Sequence, residues 1–124
     1  MARPPTQIDS RPGMASQDAA VALRRWWRLD GDLEALPSER DQNFLVRDDA
    51  GRPAFVLKIA NLEERHEFLD CQDRAMAVLS AAGIPVQPIR PTVQGLEIAG
   101  LGDPGPPWAR VFGWLPGRTL ATVP

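Results

Sequence analysis

Thirteen arginines and one lysine carry the positive charge of this chain, and the lysine, Lys58, stands inside the apolar run Phe55-Val56-Leu57-Lys58-Ile59. A lone ammonium in such a run is costly to hold unless it meets an anion or reaches an edge. The two cationic side chains are not interchangeable. Lys is a compact point charge on a flexible stem, suited to reaching a phosphate, whereas Arg is a planar fork. Two readings of Lys58 stand open: a phosphate-holding cation, or a strand-edge lysine with its head in water. Ser38 and Asn43 lie in the polar connection Ser38-Glu39-Arg40-Asp41-Gln42-Asn43, which by itself reads as a polar hairpin turn. Gln72 is the one polar residue in the middle of an apolar helical stripe, and by itself reads as a buried amide bonded to backbone. Other chemistries find less support. No Ser or Cys motif has a credible His partner for nucleophilic hydrolysis. One His and one Cys are too few for the usual zinc site. His66 reads as a surface residue, and Cys71 as a small packing residue in a helix.

The 124 residues suffice for one small domain with a modest core. A net charge of -2 without a basic block argues against a nucleic-acid partner. The apolar stretches fall far short of the roughly 20 residues a membrane helix needs. No hydrophobic signal core is visible near the N-terminus. With one cysteine and no internal disulfide, these features predict a soluble cytoplasmic protein with no membrane partner.

Residues 1–15 read as a disordered, proline-rich leader. Residues 16–28 read as a helix capped by Ser16, with Ala19, Ala20, Leu23, Trp26 and Trp27 on its apolar side. A weak strand over 29–36 ends at Pro37. Phe44 to Arg47 and Pro53 to Ile59 form a hairpin about Asp48-Asp49-Ala50-Gly51. A long helix is expected over 62–82, with Asn61 as N-cap and Gly83 as C-cap. Its predicted inner face is Leu69, Gln72, Met76 and Leu79, with Asp70 opposite and Asp73 on the flank. Pro85, Pro88 and Pro91 make an extended connector. A short strand or hairpin is expected about Gln94-Gly95, and a last strand over 108–115. The class is α+β: a roughly five-stranded antiparallel sheet with the long helix packed on it, plus the N-terminal helix.

In this order the elements resemble the N-terminal lobe of the kinase-like phosphotransferases, in the aminoglycoside, choline and hydroxylysine kinase branch. Four features over about residues 20–120 carry the likeness. The loop SERDQNFLV is similar to the phosphate-covering loop of hydroxylysine-kinase-like proteins and of the phosphotransferase domain ahead of some class III aminotransferases. It is not the glycine-rich loop of protein kinases. Phe55 to Ile59 resembles the third strand with its nucleotide lysine. The helix after it resembles the one whose Glu pairs with that lysine, but here the matching position holds Gln72, with Asp70 or Asp73 as candidates after a register shift. Arg110-Val111-Phe112-Gly113-Trp114-Leu115-Pro116-Gly117 resembles the last strand and the hinge to a second lobe.

The resemblance implies ATP with Mg²⁺ as cofactor and phosphoryl transfer to a substrate hydroxyl. Lys58, Ser38, Asn43 and Gln72 would face the phosphates, and the backbone of Gly113 and Leu115 the adenine. Residues 16–117 would be the lobe and 118–124 the start of a linker to a C-terminal kinase lobe, in cis or trans. That second lobe would carry the catalytic Asp and the metal ligands, so the chain alone is expected to be inactive. The rival expectation is a non-catalytic interaction module, its exposed patch made by Trp108, Trp114, Leu115 and Leu120.

Overall fold

A computed structural model describes residues 13–115. The greater part of the expected leader, the hinge from Pro116 onward, the linker at 118–124 and Leu120 lie outside the described residues. Two helices and six strands follow in the order α1 (Ser16–Trp27), β1 (Asp32–Leu36), β2 (Gln42–Arg47), β3 (Pro53–Ile59), α2 (His66–Ala81), β4 (Ile89–Arg90), β5 (Ala99–Gly100) and β6 (Trp108–Gly113). The strands form one sheet in the order β1-β2-β3-β6-β4, with β5 also on β6, and the pairings are antiparallel.

The alternation of side chains along β3 and β6 divides the core. Leu57, Ile59, Ala109 and Val111 point to one face, where they pack with Phe44 and Val46 against Ala19, Leu23 and Trp27 of α1. Burying side chains such as Leu23 and Trp27 contributes about 1.5–3 kcal/mol each. The other face carries Lys58, Arg110 and Phe112, and it is the face that α2 meets. There Leu69 packs with Ala60 and Ile98, and Trp108 lies against them. The helix that seals the main core is therefore the N-terminal one.

The β2–β3 turn forms as expected. The Asp48 carboxylate accepts the N–H groups of Ala50 and Arg52, both at 2.9 Å, and Gly51 takes a φ of 80°. These backbone donors, that of Arg52 foremost, hold the Asp48 carboxyl below its ordinary range. At the end of α2, Gly83 at φ 85° lets its own N–H reach Ser80 and that of Ile84 reach Leu79, both at 3.0 Å, a complete Schellman motif.

Several boundaries differ from expectation: Ala15, not Ser16, is the N-cap of α1, β1 starts at Asp32 rather than residue 29, β2 at Gln42 rather than Phe44, and β6 ends at Gly113 rather than residue 115. The long helix starts at His66, because Asn61 closes a separate turn. Its Oδ1 accepts the Glu63 N–H at 2.9 Å, and Arg65 becomes the N-cap. The region about Gln94-Gly95 is a turn closed by Thr92, whose hydroxyl accepts the Leu96 N–H at 3.0 Å, and the short strand follows at Ala99–Gly100. Ile89–Arg90, inside the proline connector, pairs with β6 as a sixth strand.

Candidate functional site

Register places Lys58 opposite Asn43 on β2 and opposite Arg110 on β6. Directly opposite residues share a face of the sheet, so Asn43, Lys58 and Arg110 form one polar row. The next row is apolar: Leu45, Val56 and Phe112, all buried. Lys58 is half-buried, and its Nζ lies 5.6 Å from the centre of the Phe112 ring. It makes no ion pair and no side-chain hydrogen bond with a described residue. Burial first, then the positive charge of Arg110, pulls the ammonium below its ordinary pKa, while Asp41 works the other way.

The acid of α2 belongs to Arg110. Asp73 Oδ1 accepts from Arg110 Nη1 at 2.6 Å, with side-chain exposures of 1% and 9%. Burial pushes the Asp73 carboxyl up, against the pull of the Arg110 hydrogen bond and charge. Its other oxygen, Oδ2, is buried without a donor among the described residues, and so is Oδ1 of Asn43.

The expected inward turn of Gln72 is thereby overturned. Gln72 is exposed, Asp73 is buried at the same turn of the helix, and Leu79 is also exposed. The stripe counted from the larger apolar residues was rotated toward the outer side of α2. The buried line runs through Leu69 and Asp73, with Met76 half-buried. A carboxylate could occupy that line because a guanidinium faces it. Gln72 Oε1 is only brushed by Arg110 Nη2, at 3.5 Å, and does not meet Lys58.

Ser38 lies half-buried in the β1–β2 connection, and its hydroxyl bonds no described residue. That connection is tied to the end of β3. Asp41 Oδ1 accepts the Asn61 N–H at 3.0 Å, and Asn61 Nδ2 donates to the Arg40 carbonyl at 3.2 Å. At the far end of β6, the Gly113 N–H donates to the Pro88 carbonyl at 2.7 Å, so this donor is already taken. A Cβ at Gly113 would lie 3.0 Å from Pro88 Cγ, a contact that the proline would have to yield to. The Leu115 backbone bonds no described residue. Trp108 is not part of an exposed patch: it packs on Leu69 and meets His66 edge-to-face at 4.9 Å. The exposed apolar side chains lie instead on and after α2, at Phe68, Val78, Leu79 and Ile84.

Sequence reasoning gave Arg110 and Asn61 no part in the site and left Asp73 as an alternative. An arginine amid the apolar residues of the last strand was the available signal for a buried acid partner.

A sequence profile of the phosphotransferase enzyme family matches residues 32–124. No curated protein matches the sequence. Among solved structures, amicoumacin kinase hAmiN in complex with AMP-PNP, Ca²⁺ and Ami is similar, with a TM-score of 0.69 at 16% identity. The match covers 86% of this chain and 33% of that one, so this chain spans about a third of the length of that kinase. At this identity the likeness concerns the fold. No helix among the described residues is long and apolar enough to cross a membrane.

Proposed function

This chain belongs to the phosphotransferase enzyme family, and from that premise we propose that residues 16–117 form the nucleotide lobe of an ATP-dependent small-molecule kinase. Residues 118–124 lead to a second lobe, supplied in cis or in trans. The observation that carries this reading is the state of Lys58: a half-buried cation, fixed on a strand, with no anionic partner among the described residues. Such a charge is stabilised by an anion brought to it.

In the complete enzyme the substrate hydroxyl oxygen bonds the γ-phosphorus of ATP, the bond to the bridging oxygen breaks, and ADP leaves. The hydroxyl proton passes to a base of the second lobe. Lys58 holds the α- and β-phosphates and offsets their charge. Asn43 borders the phosphates beside it, its buried Oδ1 without a donor among the described residues. The loop from Ser38 covers the phosphates, and the backbone of Leu115, unbonded among the described residues, reads the adenine edge. Gly113 keeps only its carbonyl for that purpose, and Gln72 borders the site through Arg110. Mg²⁺, when bound, would offset the charge of the transferring phosphates. In this reading the second lobe supplies the protein ligands of the metal. Substrate choice also belongs to that lobe, with hydroxylysine-type amino alcohols one class. A free, exposed thiol at Cys71 suits a reducing cytoplasm.

The test is a titration of the chain with ATP and with adenosine, followed by NMR at Lys58 and Leu115, alone and joined to a matching second lobe. Shifts at both residues with ATP, and a weakened ATP response at Leu115 in Lys58→Met, support the reading. If millimolar ATP leaves both unmoved even in the joined protein, the reading fails. The apolar residues exposed along α2 favour the second reading, a non-catalytic module that binds a protein. ATP-insensitive behaviour together with concentration-dependent mass in solution would favour it.

A further inference from the structure

We infer that Arg110 is a positioning residue for the phosphate site: it takes the acid of α2 as its standing partner and leaves Lys58 for the ligand's phosphate. The last clause rests on the function proposed above; the pairing itself does not. Asp73 is the buried acid of α2, and its Oδ1 is bonded by Arg110 at 2.6 Å. Arginine suits this position because its delocalised charge is more weakly hydrated than an ammonium and its fork tolerates a buried carboxylate. Lys58 lies directly opposite Arg110, yet donates neither to Asp73 nor to Asn43 Oδ1, which has no donor among the described residues.

Both cations sit over the same ring, Arg110 at 5.2 Å and Lys58 at 5.6 Å from the centre of Phe112. Opposed like charges on neighbouring strands repel. Asp73 neutralises one of the two. The other is balanced only in part, by Asp41, and an incoming polyphosphate completes the balance. Two consequences separate this arrangement from a lysine–helix pair. The seat of α2 on the sheet does not depend on Lys58. Moreover, a ligand need not break a lysine–carboxylate bond to engage the ammonium.

The test reads two quantities that need no nucleotide: amide hydrogen exchange along α2, and the ¹³Cε titration of Lys58. Arg110→Met and Asp73→Asn are expected to speed exchange across Leu69–Ala77 at least about tenfold, while Lys58→Met stays within about threefold of the parent. Arg110→Lys, which keeps one charged donor, recovers part of the protection. In Arg110→Met, Lys58 titrates at higher pH than in the parent because its like-charged neighbour is gone. Should Arg110→Met not fold, the double variant Asp73→Leu/Arg110→Met replaces both partners with apolar groups, and the same upward titration is read there. Loosening of α2 by Lys58→Met as large as that by Arg110→Met overturns the inference, and so does a Lys58 titration indifferent to Arg110. Normal pairing behaviour in a chain that never binds ATP would overturn the proposed function and leave the pairing intact.

Discussion

Lys58 and Arg110 face each other across β3 and β6, the only lysine of the chain opposite a buried arginine. Among the described residues only one of them is paired with a carboxylate: Arg110 meets Asp73 at 2.6 Å. The consequence for Lys58 is a charge held in place at a cost. Desolvation and the guanidinium both disfavour its protonated form, and Asp41 offsets them only in part.

That cost has a sign in pH. The folded pKa of Lys58 lies below 10.5, so between the two values the unfolded chain binds the proton and the folded chain does not. Stability therefore rises with pH as it climbs through that window toward 10.5, and the penalty is fully present below it. No tyrosine and no other lysine shares the window, and Cys71→Ser in both the parent and Lys58→Met takes the thiol out of the comparison. Urea denaturation from pH 7.5 to 10 should give an upward slope for the parent and a flatter line for Lys58→Met. A parent line that falls through this range would show that Lys58 is not depressed.

Breaking the ion pair of α2 on one side should be severe. Asp73→Ala leaves a buried guanidinium, and Arg110→Met leaves a buried carboxylate. Each is expected to cost about 3–5 kcal/mol, whereas Asp73→Leu/Arg110→Met together should cost far less than the sum. Denaturant midpoints of the three variants measure this. Near-additive losses would mean that the two side chains do not act as a pair.

Much of this fold was legible because its signals are local. The Asp48–Gly51 turn, the helix stop at Gly83 and the apolar side of α1 each follow from a few residues with strong conformational preferences. The strand bearing Lys58 was legible from composition alone. What the sequence hid was tertiary pairing. Whether Gln72 or Asp73 turns inward depends on what the sheet presents to α2, and Arg110 lies 37 positions away from Asp73. Apolar counting favours the exposed stripe through Leu79 because a carboxylate looks unfit for burial until its guanidinium is in place. The Pro88 carbonyl that occupies the Gly113 N–H was hidden in the same way, since a proline connector gives no sign that it will become the edge of a sheet.

The two helices should respond differently to truncation. Leu23 is fully buried beneath α1, so Leu23→Ala is expected to cost about 2–5 kcal/mol through lost transfer energy and the cavity left behind. Val78 is 69% exposed on α2, and Val78→Ser should stay within about 0.5 kcal/mol. Thermal denaturation of both variants decides the matter. A large loss at Val78 would place a covering partner on that face.

Asp41 should have two separable effects. Its Oδ1 holds the Asn61 N–H at 3.0 Å, which ties the phosphate-side loop to the end of the lysine strand. Its charge also favours the protonated form of Lys58. Asp41→Asn keeps an oxygen for the hydrogen bond and removes the charge; Asp41→Ala removes both. Lys58 should therefore titrate at lower pH in both variants. Only Asp41→Ala should cost the further 0.5–1.5 kcal/mol or so of a lost hydrogen bond and speed amide exchange at residues 38–41 and 61. ¹³Cε titration and exchange measured on the same samples separate the two effects. Equal loosening in both variants would mean that charge, rather than the hydrogen bond, holds the loop. A Lys58 titration unmoved in either would remove Asp41 from the lysine's surroundings.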